Sequence, residues 1–246
     1  MAIDKRKQEI EDYYQQKLND NYQGDFYQPR YHRFLELLEE KKNTRILDIG
    51  CGAGDLLLML KERGFQNAEG LDYSRKAKTF AEKRGLVITL CDIEKGQPSL
   101  KRKFDVIILG DILEHTFEPE FFLKKTKNLL KENGWLLISV PNAGWYLNGI
   151  LLTLFPQFLR LSPAFGVWTH CNQFTFYTLK KILRDSGFRI VRLVGVPLVQ
   201  PRPKKEKISK KIVKFILKLP IKFTDLFSNL YPPIFSSHLV VLAFKK

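Results

Sequence analysis

Three glycines at alternate positions mark the strongest candidate for a ligand-binding turn. Gly50, Gly52 and Gly54 lie between an apolar run that ends near Asp48 and a second apolar run over residues 56–60. Because glycine has no Cβ, such a turn lets a ligand approach backbone N–H groups closely. We expect the turn to bind the polar part of a small molecule, although a glycine cluster also serves ordinary tight bends.

The spacing of this turn excludes two common nucleotide sites. A dinucleotide fingerprint needs glycine or alanine at the sixth position counted from Gly50, where this chain has Asp55, an anion beside the expected pyrophosphate. A Walker loop needs Gly-Lys followed by Ser or Thr, and no such run follows the turn. The sequence therefore disfavours both a nicotinamide and a nucleoside-triphosphate site.

Carboxylates end the next two predicted strands. Asp72 closes the second strand and Asp92 follows the third. The carboxyl ends of parallel strands meet at one edge of a sheet, so both side chains are expected near the glycine turn. A carboxylate at the end of the second strand can accept hydrogen bonds from a ribose diol. The pattern indicates a nucleoside at this edge.

Two histidines are candidates for proton transfer at the same edge. His115 follows the fourth predicted strand and His170 precedes the sixth, and only histidine titrates near neutral pH without a large perturbation. The alternative for each is a structural histidine that caps a helix or hydrogen-bonds a loop. We rank His170 ahead of His115 as the catalytic group. The three cysteines form no CxxC pair that could hold zinc, and no metal is predicted.

Strands alternating with helices position these residues. The predicted strands are 45–50, 68–72, 86–91, 104–110, 135–140, 188–196 and 237–246, and the predicted helices are 4–18, 31–42, 56–60, 74–84, 118–131 and 175–186. Asn133 and Gly134 are expected to close the fifth helix. This order implies right-handed crossovers and a parallel sheet covered on both faces. The predicted fold class is α/β, a doubly wound and mostly parallel seven-stranded sheet.

Two segments fit no strand–helix unit, and they define the predicted domain organisation. We expect a helical cap over residues 1–44, a core over 45–196 that contains an insertion at 142–169, a basic insertion over 197–236, and a closing strand over 237–246. The first insertion begins with Asn142, Trp145 and Tyr146 and is strongly apolar. It is expected to form an acceptor pocket, to face a membrane, or to pack as extra core.

The last 50 residues, which contain the second insertion, carry most of the net positive charge. The chain has a net charge of +15, and residues 197–246 contain 11 basic residues against Glu206 and Asp225. Over residues 204–219 the lysines fall on one helical face and Ile, Phe and Leu on the other, which is typical of a helix that binds anionic lipid. The alternative is a solvated helix whose apolar face docks on the sheet.

The composition and the apolar stretches of the sequence also indicate where in the cell the protein is expected. A hydrophobic content of 44% over 246 residues excludes a disordered chain. The first 21 residues lack the apolar stretch of a secretory signal. Two long uncharged stretches, 133–159 and 226–244, are interrupted by Pro, Asn, Gly or Ser and do not resemble membrane spans. We expect a cytoplasmic protein that binds peripherally to the inner membrane face.

Several motifs together resemble a known enzyme family. Residues 48–54, 71–74, 91–93 and 104–115 are similar to the successive motifs of class I S-adenosylmethionine-dependent methyltransferases. Residues 110–115, 119, 133–134 and 138–142 are similar to the ubiquinone-biosynthesis-like branch, methyltransferase types 11 and 23. The resemblance covers about residues 45–196 plus the closing strand. It implies a Rossmann-like strand order of 3-2-1-4-5-7-6, with the seventh strand antiparallel.

The resemblance also implies a cofactor, S-adenosyl-L-methionine, which leaves as S-adenosyl-L-homocysteine, and it assigns contacts residue by residue. The turn residues face the methionine and the ribose of the cofactor. The acidic residue at the end of the second strand contacts the ribose, and the one after the third strand contacts the adenine. Two further residues pack on the adenine ring. The assigned residues are Asp48, Gly50, Cys51, Gly52 and Gly54 at the turn, Asp72 at the ribose, Asp92, Ile93 and Tyr73 at the adenine, and Gly110 and Asp111 beside the methionine ammonium.

The leading hypothesis is an enzyme that transfers a methyl group to a small or lipid-linked acceptor, at oxygen, close to a membrane surface. One alternative is an RNA methyltransferase, suggested by the positive charge and by aromatic residues that could stack on bases. It is disfavoured because the fourth strand does not run into an Asn-Pro-Pro-Tyr type of motif. A second alternative is a non-catalytic module that keeps the cofactor-binding fold.

Overall fold

The computed structural model describes residues 2–18, 29–96, 98, 100–146, 148–149, 153, 170–196 and 230–246. Most of the first insertion and the second insertion up to residue 229 lie outside the described residues. The amphipathic helix over 204–219 and the two-insertion organisation therefore stay predictions. Within the part of the chain that is described, no helix is long and apolar enough to cross a membrane.

Helices and strands alternate from the first glycine turn onward. The strands are β1 (Ile46–Ile49), β2 (Ala68–Asp72), β3 (Ile88–Leu90), β4 (Phe104–Gly110), β5 (Leu130–Pro141), β6 (Phe188–Val196) and β7 (His238–Lys245). The described helices are α1 (Ala2–Lys17), α2 (Pro29–Leu38), α3 (Asp55–Glu62), α4 (Arg75–Lys83), α5 (Pro119–Leu129), α6 (Phe176–Asp185) and α7 (Pro232–Phe235), with 3-10 turns at Glu39–Lys41 and Leu113–His115.

The strands form a single seven-stranded sheet in the order β3-β2-β1-β4-β5-β7-β6. Strands β1 to β5 pair in parallel, and β7 pairs antiparallel with both β5 and β6. The predicted fold class and the strand order implied by the resemblance are both confirmed. The carboxyl ends of β1, β2, β3, β4 and β5 consequently share one edge, where the chain also places its glycine turn.

Apolar residues cover both faces of this sheet. Along β4, Ile107 and Leu109 face one core with α5 and α6, while Val106 and Ile108 face the other core with α2 and α3. All four side chains are fully buried. An unbroken apolar run is what a strand needs when helices pack against it on both sides. Packing of these two cores against the sheet holds in place the strand ends that carry the site residues.

The fifth helix ends earlier than the sequence predicts. Helix α5 ends at Leu129, and the next residue, Leu130, already belongs to β5. Asn133 has a φ of +63°, and it lies where the pairing register of β4 and β5 shifts, between Phe104 and Val106. Asn133 and Gly134 therefore form part of a β-bulge, and they do not end the helix. Both structures need a left-handed residue, so the local sequence signal is the same.

Candidate active site

The glycine turn joins β1 to α3 through a left-handed backbone. Gly50, Gly52 and Gly54 have φ angles of 73°, 53° and 80°, which residues with a Cβ rarely adopt. A Cβ built on Gly50 would lie 2.1 Å from Cδ1 of Ile112. The N–H of Gly50 donates to the carbonyl of Leu71 at 2.7 Å. The turn is thus held between the end of β2 and the segment that follows β4.

Asp72 ties the end of β2 to the glycine turn. Its Oδ2 accepts the N–H of Gly52 at 2.8 Å, and its Oδ1 accepts the N–H of Ser74 at 2.9 Å. Ser74 is also the N-cap of α4, because its Oγ accepts the N–H of Ala77 at 3.1 Å. Each carboxylate oxygen keeps a further acceptor position after these bonds. Asp72 can therefore hold the turn and still accept a ligand hydroxyl.

Asp48 and Asp72 place two buried carboxyl groups beside the turn. Both are 4% exposed. Burial, and then repulsion by Asp72, raises the pKa of Asp48 to about 8 against the opposing effect of Arg30. Burial raises the pKa of Asp72 to about 6, although hydrogen bonds from Ser74 and Gly52 lower it. A cationic ligand would relieve this repulsion and a phosphate would increase it. The sulfonium and ammonium groups of S-adenosylmethionine fit such a site.

Helix α1 contacts the residues assigned to the adenine. The Lys7 ammonium forms an ion pair with Asp92, and it lies 3.6 Å from Oε2 of Glu94. It also lies 5.7 Å from the centre of the Tyr73 ring, and Ile93 is buried at the same strand end. The structure brings the three assigned residues together, and it adds a lysine that sequence reasoning missed. A charge-dense first helix gives no signal of such a contact.

Asp111 is the centre of a half-buried ionic cluster after β4. Its Oδ2 lies 3.0 Å from Nη1 of Arg30 and 3.8 Å from Nε2 of His238, and its Oδ1 accepts the hydroxyl of Ser139 at 2.5 Å. Burial alone would raise the pKa of Asp111, but Arg30 and then His238 outweigh burial and lower it. The carboxylate therefore stays ionised next to Gly110, where the resemblance expects the methionine ammonium.

His115 and His170 lie against each other. Their ring centres are 4.8 Å apart with an interplanar angle of 74°. The segment that carries His170 is attached to the turn that carries His115, because the N–H groups of Cys171 and Asn172 donate to the carbonyl of Glu114 at 2.8 and 3.0 Å. The structure thus brings both candidate catalytic histidines together, at the end of the sheet that holds the glycine turn.

Asn142 has a structural role on the acceptor side. Its Nδ2 donates to the carbonyls of Pro233 and Ser236 at 3.0 and 2.8 Å, and its Oδ1 accepts the N–H of Gly144 at 2.9 Å. The side chain is 1% exposed. Asn142 therefore joins the loop after β5 to α7, and its contact with an acceptor stays a prediction.

The two aromatic residues that follow Asn142 pack in a short series. Trp145 is 4% exposed, and its ring centre lies 6.2 Å from that of Tyr146, which lies 5.7 Å from that of Phe235. Burial raises the pKa of Tyr146. Among the described residues, the indole N–H of Trp145 has no hydrogen-bond partner. That donor could bind a polar atom of an acceptor.

Sequence reasoning missed Arg30, Glu114 and His238 as site residues. Arg30 belongs to a helix far from β4 in the chain, and no spacing rule links the two. Glu114 stands inside a motif that the sequence did single out, so its position next to His115 was the available signal. His238 begins the closing strand, and only the strand order brings it beside Asp111.

The sequence of this chain is similar to those of known methyltransferases. The model of a family described as a methyltransferase domain matches residues 19–193. A ubiquinone biosynthesis O-methyltransferase from Bradyrhizobium diazoefficiens is 31% identical over 175 residues, which are 68% of this chain and 67% of that protein. One from Pelagibacter ubique is 39% identical over 108 residues, 41% of this chain and 43% of that protein. The chain thus matches less than half the length of that second relative.

Solved structures show the same fold at lower identity. A SAM-dependent methyltransferase from Archaeoglobus fulgidus is 21% identical with a TM-score of 0.61, over 88% of this chain and 93% of that chain. A magnesium protoporphyrin IX methyltransferase from Synechocystis PCC 6803, with SAH bound, is 17% identical with a TM-score of 0.62, over 98% of this chain and 100% of that chain.

Proposed function

Because this chain belongs to the methyltransferase-domain family and is a class I S-adenosylmethionine-dependent methyltransferase, we propose that it methylates an oxygen of a small or lipid-linked acceptor. Two relatives named ubiquinone biosynthesis O-methyltransferase support oxygen as the target atom. One observation carries the proposal: Asp72 accepts a hydrogen bond from the glycine turn, and the buried carboxyl group of Asp48 lies beside it. A cationic adenosyl ligand favours the ionised form of both groups.

The residues of this edge divide into cofactor and acceptor groups. S-adenosylmethionine supplies an activated methyl group on its sulfonium sulfur. Asp72 accepts the ribose hydroxyls, Asp111 receives the methionine ammonium, and Tyr73, Ile93 and Asp92 hold the adenine. Alignment of the reacting atoms then contributes most of the rate, because the donor needs no further activation.

In this proposal the acceptor binds next to His170. Transfer to a hydroxyl requires that its proton leave, and imidazoles act on such protons near neutral pH. His170 and His115 are the pair that acts on the acceptor hydroxyl. Trp145 and Tyr146 contribute an apolar wall, and the indole donor of Trp145 has no hydrogen-bond partner within the described part of the chain. Such a wall suits an aromatic or prenylated molecule.

A methyl-transfer assay with a matched acceptor pair tests the target atom. The probe is a prenylated dihydroxybenzene, its control is the same compound with both hydroxyls already methylated, and total RNA is a third substrate. We expect label from methyl-labelled S-adenosylmethionine only in the dihydroxy compound. Label in RNA, or equal label in the blocked control, contradicts the proposal.

The catalytic histidine has its own test. His170→Ala should leave the affinity for S-adenosylhomocysteine within about twofold and lower turnover at least about 100-fold, since acid–base groups contribute about 10²–10⁴. His32→Ala is the control, because His32 is exposed on α2. Unchanged turnover in His170→Ala removes this residue from the mechanism.

The membrane part of the proposal depends on residues 204–219. Basic side chains near an anionic surface contribute about 1 kcal/mol each. We expect the chain to sediment with anionic vesicles and to lose this binding when Lys210, Lys211, Lys214 and Lys218 become Glu. The control reverses four exposed lysines elsewhere, so that net charge changes equally; these are Lys61, Lys83, Lys124 and Lys180. Equal loss in both variants, or no vesicle binding at all, contradicts a local membrane contact.

A further inference from the structure

A lysine from the first helix contacts two of the residues assigned to the adenine. The ammonium of Lys7 is paired with the carboxylate of Asp92, and it lies 3.6 Å from Oε2 of Glu94 and 5.7 Å from the centre of the Tyr73 ring. We propose that Lys7 donates a hydrogen bond to a ring nitrogen of the cofactor's adenine and, together with Asp92, makes the site selective for that base.

The chemistry of the adenine edge explains why this pair of side chains is selective. The amine on C6 of adenine donates hydrogen bonds, and the ring nitrogens on either side of it, N1 and N7, accept them. The carboxylate of Asp92 is an acceptor, and the ammonium of Lys7 is a donor without acceptor capacity. A carboxylate and an ammonium held side by side therefore match an amine and the ring nitrogen next to it.

Both side chains keep bonding capacity for the base. The Oδ1 of Asp92 accepts the N–H of Glu94 at 3.1 Å, and its Oδ2 accepts the Lys7 ammonium. Each carboxylate oxygen has a second lone pair, and an ammonium has three donors. The side chains of Lys7 and Asp92 are 17% and 22% exposed. Their charges are therefore only partly screened by solvent.

Helix α1 is attached to this edge of the sheet at two further points. One turn after Lys7, Oε1 of Glu11 accepts the N–H of Lys76 in the first turn of α4, at 3.3 Å. Just beyond the end of α1, Leu18 is 2% exposed and belongs to one apolar cluster with Ala53 of the glycine turn. These contacts hold α1 over the nucleoside site, so the position of Lys7 does not depend on its ion pair alone.

A second, buried lysine orders the loop that carries Asp92. The Nζ of Lys125 donates to the carbonyls of Ile93 and Glu94 at 2.9 and 3.0 Å, and Lys125 is 8% exposed. The N–H of Gly96 donates to the carbonyl of Asp92 at 2.9 Å. A loop held in this way loses little freedom when a ligand binds. The two lysines thus have different roles, because Lys125 bonds the backbone of the loop and Lys7 pairs with its carboxylates.

The inference rests on the placement of the adenine at Asp92 in the proposed function. The alternative arrangement is a lysine that competes with the adenine amine for Asp92 and leaves when the cofactor binds. The two arrangements differ in sign. Removing a competing Lys7 would raise the affinity for the cofactor, whereas removing a Lys7 that bonds the adenine lowers it.

Isothermal titration with S-adenosylhomocysteine and its 1-deaza and 7-deaza analogues tests the bond. Each analogue has a C–H group in place of one ring nitrogen. For the unmodified chain we expect one of the two analogues to bind at least about tenfold more weakly, the effect of losing a hydrogen bond to a charged group. Lys7→Met should bind S-adenosylhomocysteine about tenfold more weakly and should no longer distinguish it from that analogue. Lys5→Met, at an exposed position of the same helix, should behave as the unmodified chain does.

The comparison of analogues in the unmodified chain needs no variant, so it decides the question even where Lys7→Met does not fold. Equal affinities for S-adenosylhomocysteine and both deaza analogues overturn the hydrogen bond and leave the proposed function standing. An unchanged or higher affinity for S-adenosylhomocysteine in Lys7→Met also overturns it, as does a deaza effect that persists in this variant.

A third analogue separates the inference from the proposal on which it rests. S-inosylhomocysteine has an oxygen in place of the adenine amine and would turn an acceptor toward Asp92. We expect it to bind at least about tenfold more weakly than S-adenosylhomocysteine, in Lys7→Met as well as in the unmodified chain. Equal binding of these two ligands contradicts the placement of the adenine at Asp92, and with it the role of Lys7. A chain that does not bind S-adenosylhomocysteine at all contradicts the proposed function itself.

Discussion

The Oδ2 of Asp72 accepts the backbone N–H of Gly52 at 2.8 Å, across a buried boundary between the end of β2 and the turn after β1. One carboxylate thereby holds the shape of the turn, and in the proposed site it also offers acceptor positions to the ribose of the cofactor. In that proposal the position of the nucleoside and the position of the methionine part are coupled through this bond.

Replacing Asp72 should therefore weaken cofactor binding more than the loss of a single ribose contact would. Asp72→Asn changes a carboxylate acceptor to an amide, and hydrogen bonds to charged groups contribute about 1.5–3 kcal/mol. We expect the affinity for S-adenosylhomocysteine to fall about 10- to 100-fold, measured by isothermal titration. Asp185→Asn, on the surface of α6, should leave it unchanged. Equal affinities in the two variants would show that Asp72 does not hold the ligand.

The affinity for the sulfonium form should depend on pH. Asp72, with a pKa of about 6, and Asp48, with a pKa of about 8, become ionised as pH rises, and the ionised forms attract a cation. Binding of S-adenosylmethionine should strengthen from pH 5.5 to 8.5, and binding of S-adenosylhomocysteine, which lacks the sulfonium charge, should change less. Asp48→Asn should flatten the rise above pH 7. Parallel pH profiles for both ligands would contradict this electrostatic account.

Arg30 should contribute to stability through Asp111. Arg30 and Asp111 are 18% and 16% exposed in their side chains, and removing one partner of such a half-buried ion pair costs about 1–3 kcal/mol, because the other charge is left partly desolvated. We expect Arg30→Gln to lower the melting temperature by about 2–12 °C, at about 2–4 °C per kcal/mol for a chain of this size. The matched control is Arg33→Gln on the same helix, whose pair with the exposed Glu36 should be worth at most about 1 kcal/mol. Similar melting temperatures for both variants would remove the special role of Arg30.

Gly50 and Gly64 provide a second matched pair, because both have a positive φ, 73° and 89°. A Cβ on Gly50 would collide with Ile112, whereas a Cβ on Gly64 would meet nothing within 4 Å. Gly64→Ala should cost about 1 kcal/mol of backbone strain, and Gly50→Ala should cost about 1–3 kcal/mol more through the displaced side chain. Denaturant unfolding of both variants measures the difference, and equal costs would mean that Ile112 moves aside freely.

Local patterns predicted the fold well and the connections between distant segments poorly. The bounds of β2, β4 and β6 agree with the sequence prediction, because each is an apolar run between turn signals. The end of α5 was predicted too late, since Asn133 and Gly134 carry the same left-handed signal in a bulge as at a helix end. The contacts of Arg30 with Asp111 and of Lys7 with Asp92 join segments that no spacing rule connects.

The site residues show the same division. Gly50, Asp72 and His115 follow strand ends, so the topology alone brings them to one edge. The association of His170 with Glu114 depends instead on two backbone hydrogen bonds from Cys171 and Asn172. Backbone hydrogen bonds of irregular segments leave no periodic pattern in the sequence. The sequence therefore predicted His170 as a site residue but did not predict that it lies beside Glu114.

The most direct measurement is the electron density of a crystal of this chain grown with S-adenosylhomocysteine. The account predicts ribose hydroxyls within hydrogen-bonding distance of the Asp72 carboxylate, the homocysteine part against residues 50–54, and its ammonium beside Asp111. A ligand bound elsewhere, or a ribose held by other side chains while Asp72 contacts only the turn, would contradict the account at its centre.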